Sequence, residues 1–468
     1  MNMNIEKKLI VIGGGLAGCE AAWQAAESGL HVDLYEMRPL LTTGAHTGGN
    51  LAELVCSNSL GSHSPDRASG LLKQEMHWYN SLLVRIAEET ALPAGQSLAV
   101  DRELFSRRVT EAILSHPHIR VIREEVKQIP DSPTVIASGP LTSPTLSAAI
   151  QEFTGLEHLF FYDAIAPVIH AESINMDIAY RANRYRIDEQ EPGDYINCPL
   201  TTAEYQAFYT ALINAETISV REFEQPLQTG VKAGFGQFFE ACLPVEVLAR
   251  RGPGTLAFGP MRPVGLRDPR TNVRCHAVLQ LRQDNLAGSL YNMVGFQTNL
   301  TYPEQRRVFR LIPGLERAEF ARYGQMHRNT FIASPVLLHP SMQSRSRPDL
   351  FFAGQITGVE GYLGNIATGL LAGLNAARWL HGKDPLALPT DTLLGALCHI
   401  ITHSSLQDFQ PIKANFGLVT VFPSPPVSRR ERYRKYAVRS MLAAREFLLQ
   451  HPDWLPHPIP SPSLEFPE

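Results

Sequence analysis

The chain has 468 residues, 44% of them hydrophobic and 19% charged, with a formal net charge of −4. That balance excludes a disordered chain, and the length calls for two domains rather than one core. The charge excludes a globally basic nucleic-acid binder, so such a partner has to be held by local basic patches.

The N-terminal apolar run, Leu9 to Ile12, lasts four residues before glycines interrupt it. It is too short for a signal peptide, and no later run approaches a membrane span, so a cytoplasmic protein with no membrane association is expected. The six cysteines (19, 56, 198, 242, 275 and 398) include no CxxC pair. Their scatter points to reduced thiols, with neither a disulfide framework nor a metal site.

The first element is the run Leu9 to Ile12, followed by Gly13, Gly14, Gly15, Leu16, Ala17 and Gly18, an alanine-rich helical stretch to Ser28, and a second apolar run ending in Glu36. This strand, glycine turn, helix, strand and acid is a dinucleotide-binding unit. Gly13 allows the tight turn, Gly15 lets a pyrophosphate approach the backbone, and Gly18 lets helix and strand pack closely. The helix N-terminus faces the phosphates, and Glu36 is placed to take the ribose hydroxyls.

The next stretch, "ELVCSNSLGS" at 53–62, sets Cys56 among serines, an asparagine and a glycine. A structural cysteine normally sits among apolar neighbours, so this thiol is a candidate for chemistry. "TVIASGPLTS" at 134–143 is a further strand-to-glycine crossing. From 151 to 324 aromatic and basic residues thicken, as expected of an inserted substrate domain, to which the resemblance given below adds RNA binding. It holds a second thiol, Cys242 in "FFEACLPVEVLARRG", with Arg250, Arg251 and Arg262 near in sequence. Nearby arginine can lower a thiol pKa, although spacing alone does not rank Cys242 above Cys198.

FAD and NAD share the first fingerprint, and the segment 350–380 decides between them. It reads as a strand ending at Ala353, a glycine turn at Gly354 and a small-residue helix, the second glycine-rich closure of a flavoprotein site. No second complete fingerprint exists, so FAD is the expected cofactor, and a nicotinamide donor visits without a domain of its own. The fold class is α/β: a Rossmann-like FAD-binding domain of glutathione-reductase type with an inserted α+β substrate domain. The expected divisions are 1–150 and 325–450 for the FAD-binding domain, 151–324 for the insertion, and a proline-rich tail, extended or mobile, at 451–468.

Several motifs occur in order along the chain: "VIGGGLAGCEAAWQAAESGLHVDLYEMRP", "AHTGGNLAELVCSNSLGS", "LKQEM", "FEACLPVEVLARRG", "FGPMRPVGL", "LQLRQDN", "YNMVGFQTNL", "YGQMHRNTFI", "FAGQITGVEGY" and "FQPIKANFGL". With them the whole chain resembles the bacterial folate- and FAD-dependent tRNA (uracil-C5) methyltransferase family, TrmFO. The resemblance implies conversion of the T-loop uridine of tRNA, position 54, to 5-methyluridine. The carbon comes from 5,10-methylenetetrahydrofolate, reduced FAD is carrier and reductant, and NADH or NADPH restores the flavin. By similarity Cys242 adds as a thiolate to uracil C6, making C5 nucleophilic, and the methylene reaches C5 through the flavin. Cys56 then stands beside the flavin as base or as stabiliser of the flavin intermediate. Tyr362 matches a family tyrosine at the flavin edge, Arg282 and Gln283 are apt for folate, and His46 for flavin or substrate.

The expected partners are tRNA and folate, with no obligatory protein partner. Arg306, Arg307, Arg429 and Arg430, in two arginine-rich stretches with interleaved tyrosines, are the candidate RNA contacts, and the target base has to flip out of its stack. One departure stands out: after "GVEGY" the family pattern continues "VES", where this chain has Leu363, Gly364 and Asn365. Two alternatives stay open, the same chemistry on a ribosomal RNA uridine and a flavin oxidoreductase without an RNA substrate. A related wobble-uridine-modifying family typically has a longer C-terminal helical region.

Overall fold

A computed structural model describes residues 7–157, 159–184, 193–218, 243–268, 270, 274–422 and 428–457. The apolar stretch Lys8–Ile12 forms the centre of a five-stranded parallel sheet. The strand order is Leu350–Phe352, Thr134–Ile136, Lys8–Ile12, His31–Tyr35, Ile119–Ile122. Leu9 and Val11 are fully buried, as the middle strand of a sheet covered on both faces requires. The late strand joins the early ones directly, with Phe352 opposite Ile136, so the second glycine-rich segment returns to the first domain.

The helices Leu16–Glu27 and Tyr362–Leu380 pack backbone to backbone on this sheet. A Cβ at Gly369 would lie 2.2 Å from the carbonyl oxygen of Ala17, and one at Gly373 would lie 2.4 Å from that of Ala21. Small residues four apart on both helices therefore permit the approach, and any larger pair would separate them.

The chain leaves this unit through the strand Leu159–Ala164 and returns through Met326–Phe331, which pair antiparallel as a two-stranded stalk. Beyond the stalk lies a six-stranded sheet in the order Tyr180–Arg181, Ile196–Leu200, Ala277–Gln283, Leu290–Met293, Val168–His170, Phe320–Arg322. It has its own core, including Ile169, Leu200, Phe208, Phe296 and Phe309, whereas Leu159 and Phe331 belong to the first core. Residue 151 lies inside the helix Pro144–Thr154, whose Leu146 and Ile150 pack in the first core, and residue 324 lies beside the stalk.

The tail is not extended throughout. Trp454 is buried, with its ring edge-on to Tyr79 at 5.0 Å and to Phe447 at 5.1 Å, because a tryptophan this large recovers more by packing than by staying in water. Among the described residues no helix is long and apolar enough to cross a membrane, and no cluster of His, Cys, Asp or Glu could hold a metal ion. Cys19, Cys56, Cys198, Cys275 and Cys398 are free thiols.

Candidate active site

Two adjoining cavities open along the carboxyl ends of the parallel strands. The first is lined by Gly13, Gly15, Leu16, Ala17, Glu36, His46, Gly354 and Tyr362, among others. Gly13 and Gly18 are required by the protein itself: Gly13 has φ +107°, and a Cβ at Gly18 would meet the Gly13 oxygen at 1.7 Å. Gly15 is different. Its φ of −78° suits any residue and nothing lies within 4 Å of its Cβ position, so the space it leaves is of use only to a ligand. It also begins the helix Leu16–Glu27 with no side-chain cap, leaving the first N–H groups open to a phosphate. Gly14 lies outside the lining, and its N–H donates to Glu36 Oε2 at 2.9 Å.

Glu36 ends its strand at the cavity wall, and its Oε1 accepts from the Arg38 backbone N–H at 2.9 Å and from Arg38 Nε at 3.0 Å. Burial pushes this carboxyl up, but the Arg38 and Gly14 donors outweigh it and hold the group below its ordinary value. It is thus an anion, fixed where an adenosine ribose would present hydroxyls. His46 lines the same cavity and accepts or donates to Thr43 Oγ1 at 2.6 Å; burial, then Arg38, pushes it down to about 4, so it is neutral at pH 7.

The second cavity, with an empty volume of about 1630 Å³ partly open to solvent, shares Val55, Pro140, Leu141, Gln355, Tyr362 and Asn365 with the first. Asn365 sits in the first turn of the helix Tyr362–Leu380, and its Oδ1 is buried without a protein partner. An orphaned acceptor at the wall between two cavities fits a ligand donor spanning both. The departure at Gly364 and Asn365 therefore falls at this wall. Together with the space at Gly15 and the open helix start behind it, these features fit FAD in the first cavity.

Cys56 lines the second cavity on a loop fixed by three arginines. Arg102 Nη1 donates to the Leu54 oxygen at 2.6 Å and Arg322 Nη1 to the Val55 oxygen at 3.3 Å, while Arg282 Nη2 reaches Ser57 Oγ at 2.8 Å. The Cys56 N–H donates to Tyr362 Oη at 2.8 Å, coupling the loop to the helix start. The guanidinium groups hold carbonyls and hydroxyls rather than the sulfur. Burial pushes the thiol up to about 12, Asp163 and Glu360 add to it, and Arg102 and Arg282 only partly oppose it. Cys56 is therefore a protonated thiol at neutral pH, a group that gives a proton before it takes one.

Glu360 escaped the sequence reading although it lies within "GVEGY". It lines the second cavity with Asp163 and Lys413, and its Oε1 accepts from Gln355 Nε2 at 2.7 Å. Burial first, then the Asp163 charge, pushes it up to about 8. A carboxyl poised near neutral pH beside a cavity is suited to proton transfer. His327 lines the same cavity with an unpartnered Nε2, and burial pushes it down to about 4. Its strand position is visible in sequence, but no spacing rule marks it.

Arg282 lines the second cavity, but Gln283 lines neither one; its amide donates to the Asn285 oxygen at 2.8 Å. Adjacent residues of the strand Ala277–Gln283 face opposite sides of the sheet, so one of the pair had to point away. Cys242 lies outside the described residues. The residues flanking its segment are anchored together: Ile218 N–H donates to the Asn299 oxygen at 2.9 Å, and Val245 N–H to the Gln297 oxygen at 2.7 Å. Gln297 itself lines the second cavity.

The RNA candidates occupy two separate helices, Tyr302–Phe309 and Arg429–Gln450. Arg307 is tied to Glu304 at 2.6 Å, Arg306 lies over Tyr323, Arg429 donates to Tyr433 Oη at 2.8 Å, and Arg430 is 3.8 Å from Asp66.

The family described as glucose inhibited division protein A matches residues 8–384. The methylenetetrahydrofolate--tRNA-(uracil-5-)-methyltransferase TrmFO of Enterococcus faecalis is 53% identical over 93% of this chain and 97% of its own length. The protein of that name from Natranaerobius thermophilus is 54% identical over 94% and 99%. GidA of Aquifex aeolicus shares the fold, with a TM-score of 0.66 at 17% identity, over 96% of this chain and 77% of that one. The chain belongs to the glucose inhibited division protein A family, among its members named TrmFO.

Proposed function

We propose that this protein methylates C5 of a tRNA uridine, the T-loop uridine at position 54, with 5,10-methylenetetrahydrofolate as carbon donor and NADH or NADPH as electron source. What supports it most is the pair of joined cavities: a dinucleotide site opens through Tyr362 and Asn365 onto a second space that holds Cys56, Glu360 and Arg282. Near-full-length relatives carry the name of that activity. FAD, when bound and reduced, supplies the electrons that take the transferred carbon from the methylene to the methyl level.

The chain's own residues do the rest. Gly15 and the helix start behind it receive the pyrophosphate, and Glu36 takes the ribose hydroxyls. The Cys242 sulfur adds to uracil C6, which breaks the ring's conjugation and makes C5 nucleophilic; its departure at the end restores the double bond. Arg282, buried at the cavity wall, balances the negative charge that this addition places on the uracil oxygens or that a folate carboxylate brings. Removal of the C5 proton falls to Glu360 in its ionised form or to a Cys56 thiolate. At neutral pH the carboxyl is much the readier base, since its value is about 8 against about 12 for the thiol.

The test is methyl transfer to an unmodified tRNA transcript from donor labelled at the methylene carbon, with NADH, beside Cys242→Ala and Cys56→Ala. Label in T-loop 5-methyluridine with the wild type and none with Cys242→Ala is expected. A yellow, folded wild type that labels ribosomal RNA but not tRNA would overturn the substrate, and normal labelling by Cys242→Ala would overturn the nucleophile.

A further inference from the structure

The stretch 247–267 contains four arginines and no acidic residue in a chain whose net charge is −4. Arg250 and Arg251 end the short helix Val245–Ala249, a Gly-Pro-Gly turn follows, and the helix Thr255–Phe258 presents Phe258 to solvent. Phe258 is 86% exposed and Val264 55% exposed, and Arg250, Arg251, Arg262 and Arg267 are exposed as well.

The exposure of Phe258 is not a sign of looseness. Its neighbours Leu256 and Met261 are fully buried, Met261 accepts from the Val278 N–H at 2.9 Å, and Tyr205 Oη donates to the Pro253 oxygen at 2.7 Å. An aromatic ring held out in water by a rigid mount, with exposed arginines before and after it in the chain, has the composition of a nucleic-acid stacking platform.

Its placement adds a second line of evidence. The same short segment, Gly295 to Asn299, backs both this mount and the second cavity. Pro260 packs where a Cβ on Gly295 would stand 2.6 Å away, Val245 N–H donates to the Gln297 oxygen at 2.7 Å, and Gln297 lines the cavity. The mount that carries Phe258 is therefore tied to a segment that reaches the cavity wall. The arginines first read as RNA contacts on Tyr302–Phe309 include Arg307, whose charge is already met by Glu304.

We propose that Phe258, with Arg250 and Arg262, forms the docking platform for the tRNA arm, with Phe258 stacking on an unpaired base beside the one to be modified. This rests on tRNA being the substrate. The arginines neutralise phosphates and the ring contributes sequence-tolerant affinity, so binding is salt-dependent and short of base readout.

The experiment measures equilibrium binding of unmodified tRNA transcript to the full-length wild type, Phe258→Ala, Phe258→Trp and Arg262→Ala across a salt series. Flavin absorbance and thermal melting serve as folding controls. Phe258→Ala is expected to lose roughly ten- to hundredfold in affinity and Phe258→Trp to restore it. Arg262→Ala is expected to lower the slope of log affinity against log salt by about one. Binding by Phe258→Ala within about twofold of the wild type would overturn the platform while leaving the substrate assignment intact. A wild type that binds no tRNA would remove the substrate assignment and the platform with it.

Discussion

Glu360 is a carboxyl whose burial, reinforced by Asp163, raises its value from 4.5 to about 8 in the folded protein. The folded state therefore binds this proton more readily than the unfolded chain does. The stabilising protonated form is fully present below about 4.5, and its contribution is lost as pH rises through about 8. Glu360→Gln keeps the shape and removes the titration. Its melting temperature relative to the wild type is expected to climb between about pH 5 and 8 and then level off; a difference that does not vary with pH would show that Glu360 does not titrate there. The glycine fingerprint and both candidate cysteine motifs were legible in the sequence because each is local. Glu360 and His327 were not, since their role comes from residues far along the chain that bury them.

At the scale of elements, one carboxylate joins three helices. Glu75, on Ala68–Trp78, accepts from the N–H groups of Leu393 at 2.6 Å and Leu394 at 2.9 Å, and from the hydroxyl of Ser440. It thus caps the helix Leu393–His403 from outside and ties it to Arg429–Gln450. Glu75→Ala leaves three buried donors without their acceptor and is expected to cost roughly 2–4 kcal/mol in denaturant unfolding. A loss within about 0.5 kcal/mol, the size of an ordinary surface substitution, would mean that water replaces the carboxylate. In the structure Thr392 and Ser428 cap these two helices with their own side chains. The staple could not be read from sequence, because "LKQEM" carries no mark of a partner more than 300 residues away.

Among the described residues two main cores are joined by a stalk, with the proposed FAD site inside the larger core and the second cavity where the stalk meets the Cys56 loop. A ligand held only by the folded state adds stability by mass action, about 2.7 kcal/mol at a hundredfold excess over its dissociation constant. Stripping FAD is expected to lower the melting temperature by a few degrees, and adding FAD back to restore it. A melting temperature indifferent to FAD would contradict the site. By itself the sequence determined the dinucleotide unit, its second glycine-rich closure and the family, because glycine spacing and apolar runs act through local backbone geometry. Only the tertiary structure decided that Gln283 points away while Arg282 points in, that Asn365 stands between two cavities, and that burial holds the Cys56 thiol well above its ordinary value. Those outcomes depend on side-chain direction and on desolvation, and both are properties of neighbours that the chain brings together only by folding.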